Sequence, residues 1–275
     1  QLRAGAAYAA GTMSFIASRD NPRVRRWRAL TRDARERRTQ QRAMIEGENL
    51  ISAFLQSGGA VENLVLSETG SSRAALVALA ERSGKPPTVL ADAVFRSITD
   101  TEAPTGIAAE IALPGSTVDP KTSAGCVFLE GVQDPGNVGA ILRSAAAFGI
   151  GDAVLGAGCA EVWSPKVLRA AMGAHFSMRI VEHADLPAQI DRFGGKVICT
   201  VPRGGKPLAE ADLSGRLAWL FGAEGQGVSE ALAARATLKV SIPMKGGSES
   251  LNVAAAAAIC FYEANRLLSR RGARA

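Results

Sequence analysis

Histidine is almost missing from this chain of 275 residues, which holds only His175 and His183. Its four cysteines, Cys126, Cys159, Cys199 and Cys260, stand far apart in apolar surroundings and form no C-x-x-C pair. A zinc site needs clustered cysteine and histidine ligands. No metal is therefore expected, and the thiols are read as reduced and buried in a cytoplasmic protein. No apolar run approaches the ~20 residues of a membrane span. Residues 1–12 begin with glutamine and lack the apolar centre of a signal peptide, so they read as upstream sequence with Met13 as the start. No G-x-G-x-x-G follows the first strand expected after residue 125, and G-x-x-x-x-G-K-[ST] does not occur. The common dinucleotide and phosphate-loop sites are thereby disfavoured. G-x-S-x-G is missing as well. Neither histidine has an obvious nucleophile beside it, and both are read as structural.

What is present is length, apolar mass and positive charge. The chain is long enough for two domains, and 47% hydrophobic residues can fill their cores. The net charge is +6 and the pI about 9.5, which favours an anionic partner, nucleic acid first. The charge is concentrated: residues 19–42 carry ten arginines against Asp20, Asp33 and Glu36, with Trp27 and Leu30 as a thin apolar seam. This stretch is expected to be one short helix. So many like charges on one helix are hard to pair internally, which points Arg25, Arg26, Arg28, Arg35 and Arg38 toward phosphates.

Strands alternating with helices are expected on both sides of a linker. Residues 13–113 read as a small N-terminal α/β domain, with strands near Met44–Glu48, Val61–Leu66, Thr88–Leu90 and Ile107–Ile111 and a helix at Ala74–Arg82. Residues 114–125, rich in serine, threonine, proline and glycine, read as the linker. Residues 126–275 read as a mostly parallel α/β sheet with strands at Cys126–Leu129, Ala153–Leu155, Lys196–Thr200, Ala218–Phe221 and Leu238–Ile242. Helices are expected between them, at Gly139–Phe148, Lys166–Gly173, Leu186–Arg192 and Ser229–Ala234. Glycine-rich loops fall at the carboxyl ends of these strands, where such sheets bind ligands. The stretch Leu238–Leu268 is the most pronounced: a short strand, a loop with Gly246, Gly247 and Ser248, and an alanine-rich helix with one buried face at Val253, Ala257, Cys260, Ala264 and Leu267.

Three of these segments carry a family resemblance. L-E-G-V-Q-D-P-G-N-V-G-A-I-L-R-S-A-A-A-F-G (Leu129–Gly149), L-F-G-A-E-G-Q-G-V-S (Leu220–Ser229) and I-P-M-K-G-G-S-E-S-L-N-V-A (Ile242–Ala254) resemble, in order, the three motifs of the SpoU/TrmH family of RNA ribose 2′-O-methyltransferases. M-I-E-G-E-N-L-I (Met44–Ile51) and P-T-G-I-A-A (Pro104–Ala109) are similar to the RNA-binding domain that precedes the catalytic one in many members. The resemblance implies an α/β catalytic domain tied in a deep trefoil knot, S-adenosylmethionine as cofactor, and a homodimer. The implied substrate is RNA, ribosomal more than transfer RNA; an inactive RNA-binding protein on the same fold is the alternative. An unrelated nucleotide-binding α/β enzyme is a further reading, opposed by the missing phosphate-loop motifs.

Carried over by position, the resemblance assigns Asn137, Arg143, Glu224, Ser250 and Asn252 to catalysis. Gly222, Ile242 and Leu251, with Thr200 on a neighbouring loop, line the implied cofactor pocket. Without the resemblance, Asn137 would read as a helix cap and Glu224 as a carboxylate at a helix N-terminus. Ala254 stands where the family usually has serine, a departure that keeps the residue small.

Overall fold

The structure is a computed structural model that describes residues 14–115, 117–246 and 250–272. Expectations for residues 1–13, Gly247 and Ser248 lie outside the described residues. Two compact units result, one from residues up to Pro114 with Trp163–Arg169, the other from Gly115–Val162 with the chain from Ala170 onward.

The first unit contains β1 (Ser14–Ile16), α1 (Pro22–Arg32), α2 (Ala34–Gln40), β2 (Arg42–Glu46), α3 (Glu48–Gln56), β3 (Val61–Ser67), α4 (Ala74–Arg82), β4 (Thr88–Leu90), α5 (Asp92–Phe95) and β5 (Ile107–Ala112). Its sheet runs β1-β4-β3-β5-β2, with β1, β4 and β3 parallel and β5 antiparallel to both its neighbours. Val24, Trp27 and Leu30 of α1 pack with Val65, Leu90, Phe95 and Ala108. The single basic helix expected over residues 19–42 is two helices. At Asp33 the backbone turns extended (φ −120°, ψ 116°); its N–H closes α1 on Ala29 O, and its carboxylate accepts Arg35 N at 2.7 Å to open α2.

The chain continues with β6 (Gly125–Glu130), α6 (Pro135–Ala147), β7 (Asp152–Leu155), α7 (Pro165–Ala171), β8 (Arg179–Val181), α8 (Leu186–Arg192), β9 (Lys196–Thr200), β10 (Lys206–Pro207), β11 (Leu217–Gly222), α9 (Glu230–Ala233), β12 (Leu238–Ser241) and α10 (Val253–Gly272), all of them in the second unit except most of α7. The stretch of α7 through Arg169 belongs with the first unit. The strands form one parallel sheet in the order β10-β12-β9-β11-β6-β7-β8. Sequence periodicity misses β8 and β10 because they are only three and two residues long; β10 contains Pro207, which an edge strand tolerates.

Successive side chains of β11 point to opposite faces, as a strand requires. Trp219 and Phe221 meet Phe261 of α10 edge-on, with centroids 6.1 and 5.8 Å away. Ala218 and Leu220 join Cys126, Phe128 and Leu186 on the opposite side. Both faces are covered, which explains why the core strands read as nearly continuous apolar runs. In α10 the buried face is Ala254, Ala257, Cys260, Phe261 and Ala264, and small side chains there let the helix pack against α6.

Helix α6 begins four residues before the expected Gly139. Pro135 occupies a first-turn position where its missing N–H costs nothing, and Asp134 is the cap, accepting Asn137 N at 2.8 Å. Asn137 is therefore the third residue of the helix and not its cap, which frees its amide for other work.

Candidate active site

Beyond the carboxyl ends of β9, β11 and β12 lies a cavity of about 300 Å³. Three loops build it. The first supplies Thr200 and Pro202, the second Gly222, Glu224 and Gly227, the third Ile242, Ser250, Leu251 and Asn252. All four residues expected to hold a cofactor line it, as do three of the five assigned to catalysis. Met244, Val253 and Ala256 also line it and escape sequence reasoning, because apolar residues beside a helix start look like ordinary core. The volume lies at the lower end for small-ligand sites. Apolar walls with a few polar groups and exposed glycine backbone suit a flat base joined to a polar tail.

A directed chain of hydrogen bonds joins two residues of the lining, Glu224 and Asn252, through Asn137. Asn137 Nδ2 donates to Glu224 Oε1 at 2.6 Å, and Asn252 Nδ2 donates to Asn137 Oδ1 at 2.9 Å. Asn252 Oδ1 accepts the Ala254 and Ala255 N–H groups at 2.9 and 3.2 Å. An ionised carboxylate only accepts and a backbone N–H only donates, so both amides are oriented from the two ends. The chain thus joins residues from all three motifs. Glu224 sits in a turn closed by Gly227 N donating to Ala223 O at 2.8 Å, six residues before α9, so it is not a helix-terminus carboxylate. Ala254 enters through its backbone N–H, which explains how the usual serine can be absent.

Arg143 stands apart from this chain. It lies six residues after Asn137 on α6, exposed, outside the cavity lining, and without a side-chain partner among the described residues.

Three of the four cysteines and His175 are withdrawn into the core, whereas Cys159 is half-buried and His183 exposed. Burial pushes the Cys199 and Cys260 thiols up to about 11 and about 12, and raises Cys126 further. His175 is buried with Nε2 2.8 Å from Val162 O, and desolvation lowers its pKa to about 4. Among the described residues no group of three or more His, Cys, Asp or Glu could hold a metal, and no helix is long and apolar enough to cross a membrane.

In the first unit the arginines divide into two sets. Arg37 is buried and donates to Leu30 O and Thr31 O, closing the end of α1. Arg26 pairs at 2.5 Å with the buried Glu110, which also accepts Trp27 Nε1 and Asn63 Nδ2. Arg28 donates to Ser97 and Arg19 O, and Arg23 donates to Asn63 and Thr88 while lying over the Trp27 ring. The expectation that these charges cannot be paired internally fails for Arg26, whereas Arg28 is hydrogen-bonded only to neutral groups among the described residues. Sequence spacing does not show that a buried carboxylate 84 positions away needs a cation. Arg25, Arg32, Arg35 and Arg38 are exposed and have no side-chain partner among the described residues.

Comparison with known proteins accounts for both units. Residues 125–262 match the model of the SpoU rRNA Methylase family, and residues 21–109 match an MRM3-like substrate binding domain. The chain is 35% identical over 253 residues to the 23S rRNA (guanosine(2553)-2'-O)-methyltransferase RlmP of Bacillus subtilis, covering 91% of this chain and 98% of that protein. It is 31% identical over 267 residues to the 23S rRNA (adenosine(1067)-2'-O)-methyltransferase of Streptomyces laurentii, covering 94% and 98%. An AdoMet-bound rRNA methyltransferase from Sinorhizobium meliloti superposes with a TM-score of 0.81 at 27% identity, covering 94% of this chain and 99% of that one.

Proposed function

The chain belongs to the SpoU rRNA methylase family, and on that premise we propose that it transfers a methyl group from S-adenosylmethionine to a ribose 2′-hydroxyl of ribosomal RNA. The observation that carries this reading is the cavity beyond β9, β11 and β12, with Glu224 and Asn252 of its lining joined through Asn137. S-adenosylmethionine supplies an already activated methyl on a sulfonium, which leaves the protein two tasks: placement of the acceptor oxygen and easing of its proton.

Thr200, Gly222, Ile242 and Leu251 are proposed to hold the cofactor, since all four line the cavity. Asn137, Ser250 and Asn252 orient the ribose, with Glu224 fixing the Asn137 amide. Placement of reacting groups can by itself supply a large part of a rate enhancement. A guanidinium carries five N–H donors and no acceptor. Arg143 is therefore proposed to grip the neighbouring phosphate and favour the alkoxide electrostatically, not to act as a base; the hydroxyl proton passes to solvent water as the O–CH3 bond forms and the S–CH3 bond breaks, leaving S-adenosylhomocysteine. No metal is required. The test is incubation of the protein with S-adenosylmethionine and ribosomal RNA, followed by mass-spectrometric mapping of ribose methyls. A chelator should leave the yield unchanged. Methylation found only on transfer RNA, or only on bases, would count against the reading.

Two finer features follow from the same premise. The loops around the cavity are proposed to thread as a deep trefoil knot, an exception to the usual rule against threaded connections. The chain is proposed to work as a cytoplasmic homodimer through α10. Its Ile259 and Tyr262 are 39% and 56% exposed, more apolar surface than α10 needs for its own neighbours. Light scattering at micromolar concentration should give twice the 28.6 kDa chain mass; a monomer would refute the dimer.

Residues 13–113 are proposed as the RNA-binding domain, with phosphate contact carried by Arg25, Arg35 and Arg38 and by the equally exposed Arg32. Changing all four to glutamine should weaken RNA binding and reduce the log–log salt slope by about 3, at ~0.7–0.9 for each phosphate no longer neutralised. Changing Arg26 and Arg28 should lower thermal stability and leave the slope almost unaltered, because those side chains are bonded within the fold. An unchanged slope in the fourfold variant would mean that this face is merely solvated.

A further inference from the structure

Asn137 and Glu224 meet across 87 residues of chain, so their contact depends on two loops being held in register. One loop leaves β6 after Glu130, turns at Gly131 (φ +64°) and enters α6 with Asn137 on its first turn. The other leaves β11 after Gly222, carries Glu224, and reaches Ser229 at the start of α9. Glu130 and Gly222 are register partners, so both loops depart from the same level of the sheet. Their beginnings are fixed by the ladder, whereas the far end of the second loop is not.

Glu130 supplies the missing tie. Its Oε2 accepts the Ser229 N–H at 2.7 Å, across 99 residues of chain. Charge-assisted bonds of that length are among the stronger polar contacts in proteins. The loop is thus held at its entrance by the ladder, at its waist by Gly227 N donating to Ala223 O, and at its exit by Glu130. Glu130 does not line the cavity and is half-buried.

We infer that Glu130 is a positioning residue for methyl transfer: it pins the exit of the 223–229 loop so that Glu224 meets and orients Asn137. The inference rests on the methyltransferase reading above. It makes Glu130 necessary through Glu224, not through contact with substrate or cofactor.

Steady-state kinetics of the full chain test it. Glu130→Ala should lower kcat by about 10- to 100-fold, the range expected when a reacting group is misplaced by roughly 1 Å, with KM for RNA within about twofold. Glu130→Gln should restore most of the rate, because an amide carbonyl still accepts the Ser229 N–H. In a Glu224→Ala background, Glu130→Ala should cost little more, since the group it positions is already gone. Should Glu130→Ala fail to fold, Ser229→Pro carries the same test from the donor side. Ser229 has φ −59°, which proline adopts, so that change removes the N–H without straining φ. Ser229→Ala keeps the N–H and should lose less activity than Ser229→Pro. Additive losses in the Glu224→Ala background, or no rescue by glutamine, would overturn the inference and leave Glu130 a stabilising contact. A wild-type chain that transfers no methyl would instead overturn the reading on which it stands.

Discussion

Arg143→Ala should cut methyl transfer by about 10³-fold, near the upper end for loss of one stabilising donor, and should leave cofactor affinity within about twofold. The two halves of this result have separate causes. Cofactor affinity survives because the cavity is built by the loops after β9, β11 and β12, and Arg143 belongs to α6 and does not line it. Activity fails because no other group assigned to the site carries a positive charge. The chain Glu224–Asn137–Asn252 offers a carboxylate and two amides, which can orient a ribose but cannot stabilise a developing alkoxide against the RNA's own phosphates. Arg143→Lys separates the possible roles. A point charge on a flexible stem keeps the electrostatic effect in part and loses the planar fork that grips a phosphate with two bonds. Partial recovery with a raised KM for RNA supports the phosphate-gripping role. Calorimetry showing that Arg143→Ala no longer binds S-adenosylmethionine would move Arg143 into the cofactor pocket and refute the division of labour.

The elements that sequence describes well are those whose local and tertiary demands agree. β9 is an apolar run that the fold buries almost fully, and α4, an alanine- and leucine-rich stretch, shows the helical period; both bounds match the expectation. Elements escape where a strand is only two or three residues long, as in β1, β8 and β10; β4, equally short, is found because Pro86 and Pro87 mark its start. The single helix expected over residues 19–42 fails for a different reason. Arginine is a good helix former at every position, so propensity runs straight through Asp33. The break arises because Asp33 serves two helices at once, a capping role that propensity does not register.

The candidate site divides in the same way. The motifs place glycines and polar residues at the carboxyl ends of the strands, and most of the residues they single out line one cavity. Spacing does not reveal that Asn137 bonds Glu224 and Asn252, since these contacts span 87 and 115 residues. It does not reveal either that Arg26 belongs to Glu110. A side chain's partner is a tertiary fact, and an arginine that binds phosphate looks the same in sequence as one that neutralises a buried carboxylate.

Gly222→Ala should lower affinity for S-adenosylmethionine by about 100-fold or more, by order of magnitude the effect of displacing a loop that lines a small ligand pocket. The reason is steric and local. A Cβ at this position would lie well under 3.0 Å from the carbonyl of Gly227 and from the Val228 N–H. Those are backbone atoms, so the clash cannot be relieved by rotating a side chain, and close packing leaves no slack to absorb it. The loop 223–228 must move, and it carries Glu224, Gly225 and Gly227 of the cavity wall. The same movement would pull Glu224 from Asn137, so methyl transfer should fall further than cofactor binding does. The sheet itself should survive, because the displaced atoms lie beyond the end of β11 while Trp219 and Phe221 remain packed on Phe261. Unchanged tryptophan fluorescence would report that integrity. Gly151→Ala is the control: nothing lies within 4 Å of its added methyl, so it tests the effect of a glycine change alone and should bind cofactor normally. If calorimetry finds wild-type affinity in Gly222→Ala, the loop after β11 does not line the cofactor site, and the cavity must be assigned to something else.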